Sequence, residues 1–431
     1  MSKDCAHVHP VPTPFHRPLP TLVGTLTAAL ALSGCAGFQL PWEKAQDLRG
    51  GYASGDKLVV ILPEQGPVAD AANAVRAGLR AAHGADDTGA KPTLKFIAND
   101  RPAKIAEVYG KAVGEGATQV IGPLLKPEVD TLVAGPALKV PTLALNQTTD
   151  PDKTANNLYQ FALDPETEAM EVANKAKTKG FTRALMLAPK DAADQRRAEA
   201  FRREWTKLGG TVVAEARFNP AAARPAEPLG KMLAKGGADF LFLDADGDQA
   251  RKVYPAVRAR AATLPVIAPA AVYSGNADTA RDKDLDGLYF VTSPWLLGID
   301  AADDPLARAK LKGGTSYLDT SLGLRLYAMG IDAYRLAPRL KKLAGQQTAT
   351  FPGESGTLSI DPRGRVERQL VLAKFTHSGP QAATVIETAQ TSAPVSTEPA
   401  PSAPAATAPA TKPKAKAKAK GPAPEAVSKG T

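Results

Sequence analysis

The chain has 431 residues, 44% of them hydrophobic, so it can bury a sizeable core and is too long for one small domain. Its formal net charge is +9, but from Thr391 onward six lysines (Lys412, Lys414, Lys416, Lys418, Lys420, Lys429) face only Glu398 and Glu425, a surplus of four. The rest is mildly basic, which argues against a nucleic-acid-binding protein.

The N-terminus reads as an export signal. Lys3 and Arg17 supply positive charge, and Leu19–Leu32 is apolar, small or weakly polar. A bilayer-spanning helix needs about 20 residues, so this run suits a signal peptide's apolar segment. Its end, Leu32-Ser33-Gly34-Cys35, resembles a bacterial lipobox, in which cleavage precedes the cysteine and the thiol takes diacylglycerol. Residues 1–34 are therefore expected to be a lipoprotein signal peptide and Cys35 a lipid anchor. Ala36, in place of aspartate, resembles signals sorted to the outer membrane. Cys5 leaves with the signal, so no thiol remains for a disulfide, a zinc site or a nucleophile. Residues 35–56 form the lipidated tether. The 21 residues from Ala36 to Asp56 reach about 70 Å at full stretch.

From Lys57, strands and helices alternate. "KLVVIL" (57–62), "TLKFI" (93–97), "TQVIG" (118–122) and "PTLAL" (141–145) are short apolar strands. Helices are expected through Val68–Ala82, Ala103–Glu115 and Lys126–Val133. The pattern repeats after "NLYQFAL" (157–163). Strands follow at 183–188, 211–218, 239–245 and 264–270, with helices at 167–179, 196–208 and 249–261. Such alternation predicts parallel sheets flanked by helices. Leu322, Leu326, Met329, Ala333 and Leu336 mark one more helix, and Gly356–Phe375 reads as a hairpin turning at Asp361-Pro362-Arg363-Gly364. After about Gln390 the chain is Ala, Pro, Thr, Ser and then Lys, too poor in large apolar residues to fold; the disordered tail is placed at 381–431.

Five blocks carry a family resemblance: "VIGPLLKPEV" (120–129), "VPTLALNQ" (140–147), "NLYQFALDPETEA" (157–169), "DLDGLYFVTSPWLL" (284–297) and "RLYAMGIDAYRLAPRL" (325–340). Together they resemble the penicillin-binding-protein activator lipoproteins, the LpoA/LppC family. The resemblance implies an α/β, two-lobed type I periplasmic-binding-protein-like fold over residues 57–380. Lobe one would comprise about 57–163 plus 294–349, and lobe two about 164–293 plus 350–376. It also implies an outer-membrane lipoprotein that stimulates peptidoglycan synthesis by contacting a class A penicillin-binding protein, without catalysis or cofactor. Longer members carry an N-terminal helical-repeat domain, whereas here only the tether separates the anchor from the first strand. The alternative, from another class, is a periplasmic solute-binding lipoprotein that captures a small polar ligand for a transporter or sensor.

Ligands of open parallel sheets sit beyond the carboxyl ends of the strands. That nominates Glu64, Gln65, Gly122, Pro123, Asn146, Thr148, Asp244, Tyr273 and Ser274 as cleft residues. Pro123 has no N–H to donate and Leu124 no polar side chain, which weakens an amino-acid clamp, while Thr148 and Asp244 keep that reading open. "DADGD" (244–248) lacks the glycine and acid spacing of a calcium loop, so Asp246 or Asp248 is expected to cap a helix. "GESGT" (353–357) is a turn rather than a nucleophile elbow, and only His83 and His377 lie beyond the signal, so no catalytic residue and no metal site is named. Trp295, Tyr327 and Tyr334 are candidate partner contacts, because aromatic residues dominate interface hot spots. The tail lysines are a candidate contact to peptidoglycan.

Overall fold

The computed structural model describes residues 51–300, 303–311, 315–346 and 348–387. The signal peptide, Cys35, most of the tether and the Lys-rich tail lie outside the described residues. The chain divides into two compact units. The first takes residues up to Phe161, Ile299–Lys312 and Leu326–Glu367, and the second takes Ala162–Gly298, Gly313–Arg325 and residues from Arg368.

The first unit opens with β1 (Lys57–Leu62), α1 (Ala69–Ala85), β2 (Thr93–Ala98), α2 (Ile105–Gly114), β3 (Gln119–Ile121), α3 (Lys126–Ala134), β4 (Thr142–Ala144) and β5 (Leu158–Gln160). Its strands are parallel, in the order β2-β1-β3-β4-β5. The strands read as continuous apolar runs because helices cover both faces, and Leu58 through Leu62 are all buried. The order reverses between β1 and β3, which makes that gap the topological switch point.

The second unit runs α4 (Pro165–Thr178), β6 (Arg183–Pro189), α5 (Ala192–Lys207), β7 (Thr211–Phe218), α6 (Leu229–Leu233), β8 (Phe240–Leu243), α7 (Gly247–Arg260), β9 (Val266–Ala268), α8 (Thr279–Asp282) and β10 (Tyr289–Thr292). Its parallel strands repeat the same winding, β7-β6-β8-β9-β10. Its core is aromatic: Phe201 stacks on Phe242 at 4.0 Å, and Trp205 meets Phe240 edge-on at 5.3 Å.

The chain then forms α9 (Ser321–Leu336), α10 (Leu340–Ala344), β11 (Phe351–Gly353), β12 (Gly356–Ile360), β13 (Val366–Gln369), β14 (Val371–Thr376) and β15 (Gly379–Ala382). Five sequence expectations change here. Residues 294–298 and 313–325, expected in lobe one, belong to the second unit. The hairpin at 361–364 exists, but its second arm is split. β13 stays in a three-stranded sheet, β11-β12-β13, while β14 joins the second unit antiparallel to β10. The break falls at Leu370, whose N–H leaves the hairpin for Glu171 Oε2 at 2.9 Å. Residues 350–367, expected in lobe two, belong to the first unit, because Gln160 N donates to the Gly364 carbonyl at 2.8 Å and Gln160 bridges Arg365. The tether's end is part of the body, since Tyr52 is buried and its hydroxyl donates to the Tyr334 carbonyl at 2.7 Å. Order also continues past 380: β15 pairs with β14, Ile386 is buried, and Glu387 N donates to Tyr289 Oη at 3.0 Å.

Candidate functional site

The nominated residues of the first unit sit at its switch point and beside it. The Glu64 and Gln65 amides, just past β1, both donate to Asp100 Oδ1, at 2.7 and 2.9 Å. Those two donors, the Gln65 amide foremost, hold the Asp100 carboxyl below its ordinary range. The two side chains themselves are exposed. Gly122, past β3, has φ of 102°, and a Cβ there would lie 2.2 Å from the Ile61 carbonyl oxygen, so only glycine fits. The Pro123 carbonyl accepts from Leu145 N at 2.8 Å. Asn146 donates from Nδ2 to the Leu124 carbonyl at 2.9 Å and accepts from Gln147 N at 3.0 Å. Thr148 gives its amide to Gln160 Oε1 and its hydroxyl to the Asp150 carbonyl, each at 2.8 Å. The polar groups of Asn146 and Thr148 thus tie their own loops together.

The second unit spends its nominees in the same way. Asp244 is fully buried at the end of β8, where Arg197 Nε donates to its Oδ1 at 2.6 Å. Asp246 caps α7: its Oδ1 accepts from Gln249 N at 2.8 Å, and Gln249 Oε1 accepts from Asp246 N at 3.0 Å. Asp248 pairs with Arg251 and Arg281 at 2.8 Å each, which answers the calcium question in favour of ion pairing. Tyr273 is buried against Phe290 at 5.5 Å, and its carbonyl accepts from Ser321 Oγ at 3.2 Å and Arg325 Nη2 at 3.3 Å. Ser274 Oγ donates to the Asn276 carbonyl at 2.9 Å. Sequence reasoning missed Arg197 and Arg325. Arg325 also pairs with the largely buried Glu168 at 3.3 Å. The available signal was an arginine set between Leu324 and Leu326 on an apolar stripe.

The aromatic partner contacts are corrected. Trp295 is 0% exposed, Tyr334 1% and Tyr327 8%, so all three fill the core instead of a partner's pocket. Tyr334 rests against Tyr52 at 5.0 Å and donates its hydroxyl to Asp86 Oδ2 at 2.6 Å. Among the described residues no group of three or more His, Cys, Asp or Glu could hold a metal, and no helix is long and apolar enough to cross a membrane.

The densest buried charge lies elsewhere in the first unit. Asp332, on α9, accepts at Oδ1 from Glu354 N and at Oδ2 from Ser355 N, each at 2.7 Å, and from Ser355 Oγ at 2.6 Å. Arg335, one turn on, pairs with Glu354 and lies 3.6 Å from Asp304. Burial pushes the Glu354 carboxyl up to about 8; Arg335 opposes this, while Asp332, Asp304 and Asp300 add to it. Burial raises Asp332 and Asp300 as well. The ordinary value is 4.5, so between there and about 8 the folded chain keeps a proton that the unfolded chain has released. This share of stability is complete below the ordinary value and is lost as pH climbs towards the folded one. The urea midpoint is therefore expected to fall between about pH 4.5 and about pH 8, and Glu354→Gln to flatten the slope. An equally steep fall in the variant would remove Glu354 from the account.

Two units of β/α alternation, each wound second-first-third-fourth-fifth, define a two-lobed type I periplasmic-binding-protein-like fold. A family model described as "LppC putative lipoprotein" matches residues 54–225 and 229–378, and the chain belongs to this LpoA/LppC family. The protein named penicillin-binding protein activator LpoA from Erwinia tasmaniensis is 28% identical over 319 residues, 64% of this chain and 46% of the relative. The C-domain of LpoA (YraM) from Haemophilus influenzae, called a regulator of PBP1A, is similar at TM-score 0.63 and 23% identity, over 76% of this chain and 100% of that one. A "putative branched-chain amino acid ABC transporter" from Chromobacterium violaceum is similar at TM-score 0.61 and 29% identity, over 74% of this chain and 99% of that one. The chain spans about half the length of the Erwinia relative. The family is described as lipoproteins, and these LpoA relatives are named as activators or regulators, not as enzymes.

Proposed function

We propose that the chain is a non-enzymatic outer-membrane lipoprotein, anchored through Cys35, that activates peptidoglycan synthesis by binding a class A penicillin-binding protein. The match of one family model to both units, with relatives named as penicillin-binding protein activators, carries this reading. Activation is a population shift: the lipoprotein binds one conformation of the synthase better and so favours it. The burial of Tyr52 shortens the free tether, so Cys35 lies at most about 60 Å from the folded body. A synthase that projects towards the outer membrane meets that limit.

Capture of a small solute is the weaker reading, because Asn146, Thr148, Asp244 and Ser274 already bond within their own units. Reconstitution with purified class A synthases decides the matter. The expected result is binding and a severalfold rise in crosslinking rate. No effect on any class A synthase, with a thermal shift in the presence of free amino acids instead, would transfer the chain to the solute-binding class.

A further inference from the structure

The second unit gathers a run of cations at one of its poles. In a parallel α/β unit every crossing helix begins near the carboxyl ends of the strands and finishes at the pole where the strands start. At the carboxyl pole, Glu166, Glu168, Asp244 and Asp248 are each paired with an arginine. At the amino pole four helices finish in cations: Lys175 and Lys177 on α4, Lys207 on α5, Lys231 on α6, and Arg258 and Arg260 on α7; of these Lys175 pairs with Glu171 at 3.9 Å and Lys207 with Glu204 at 3.1 Å. Lys179 and Lys235 follow directly on α4 and α6. Contacts join these ends into one face. The Lys177 ammonium approaches Gly209 past α5, the Arg183 guanidinium lies against Gly237 ahead of β8, and Arg258 lies beside Gly287 ahead of β10. The described chain also ends here: Lys374, opposite the first residue of β10, pairs with Glu387 at 2.7 Å.

A helix C-terminus carries a partial charge of roughly −0.5, which one cation complements. This pole holds more than that. Lys177, Lys179, Lys231 and Lys235 take part in none of the ion pairs found among the described residues. The helices of the first unit finish in fewer cations: α1 ends in His83, α2 in Lys111, and α3 in no cation. We propose that the amino pole of the second unit docks on a membrane surface bearing anionic phosphate headgroups. Its cations come from many elements, are mostly lysines, and do not converge on a buried point. Such a layout suits a broad anionic plane better than a discrete ligand, which needs convergent and desolvated donors. Each lysine held near an anionic surface contributes about 1 kcal/mol, or about fivefold in affinity.

The test uses the full chain carrying Cys35→Ser, so that no acyl group contributes, with Lys412, Lys414, Lys416, Lys418 and Lys420 changed to glutamine. Sedimentation with phosphatidylcholine vesicles containing about 30% phosphatidylglycerol should show binding that collapses as salt rises from about 0.05 to 0.5 M. Changing Lys177, Lys179, Lys231 and Lys235 to glutamine should weaken partitioning at least about tenfold. A second set from other helices, Lys207→Gln with Arg258→Gln and Arg260→Gln, should weaken it comparably. Lys91, Lys111, Lys139 and Lys153 of the first unit, changed likewise, should cost less than about twofold. Equal losses from the first-unit set, undiminished binding by both pole sets, or binding to soluble polyphosphate but not to vesicles would each overturn the proposal.

Discussion

Replacing Asp332 by alanine is expected to destabilise the first unit by about 3–5 kcal/mol, read as a fall in its urea midpoint by circular dichroism. The carboxylate is 0% exposed and holds the tip of the β11–β12 hairpin by both of its backbone amides, Glu354 N and Ser355 N. Removing it strands two buried N–H groups, each of which costs about 1–3 kcal/mol unpaired. It also withdraws the acceptor of Ser355 Oγ. Ser355→Ala removes only the hydroxyl bond and should cost about 1 kcal/mol. If Asp332→Ala cost no more than Ser355→Ala, the hairpin tip would not depend on the carboxylate.

Gly78→Ala is expected to cost about 3 kcal/mol or more, while Gly84→Ala in the same helix should stabilise by about 0.5–1 kcal/mol. A Cβ at Gly78 would sit 2.0 Å from the Tyr327 carbonyl oxygen, and one at Gly330 would sit 2.3 Å from the Val75 carbonyl oxygen. The two helices α1 and α9 therefore touch backbone to backbone at a reciprocal pair of glycines. Relief requires the helices to part, which strips contacts from the fully buried Val75, Leu79 and Ile331. Gly84 meets nothing within 4 Å, so there the methyl group only removes freedom from the unfolded chain. Thermal unfolding of both variants gives the comparison. Equal and small shifts would show that the helix crossing yields.

The parallel strands were legible because burial on both faces leaves an uninterrupted apolar signature, as in Leu58–Leu62 and Phe240–Leu243. The candidate positions were legible for a related reason, since a strand's end fixes where a loop begins. Their bonding was not. Asp100 serves Glu64 and Gln65 from 36 and 35 positions away, and Glu171 takes the Leu370 amide from 199 positions away. No local pattern reports such a partner, which is why the alternation through Gln369 and Val371 reads as one arm instead of two. Tyr327 and Tyr334 failed for a different reason. Helical spacing locates a stripe but does not tell a core from a docking face, and their low exposure decides it. Glycine inside a helix ordinarily weakens it, and only the crossing of α1 and α9 accounts for those at 78 and 330.

The second sheet is finished by β14 and β15, residues 371–382, which clasp the outer rim of β10. A polypeptide emerging amino end first exposes β10 about 80 residues before its cover arrives. During that interval the rim is an open invitation to strands from neighbouring copies. Translocation speed and the timing of the last strands thus become part of how this molecule avoids aggregation, and a product cut short near residue 370 would keep its sticky border for good.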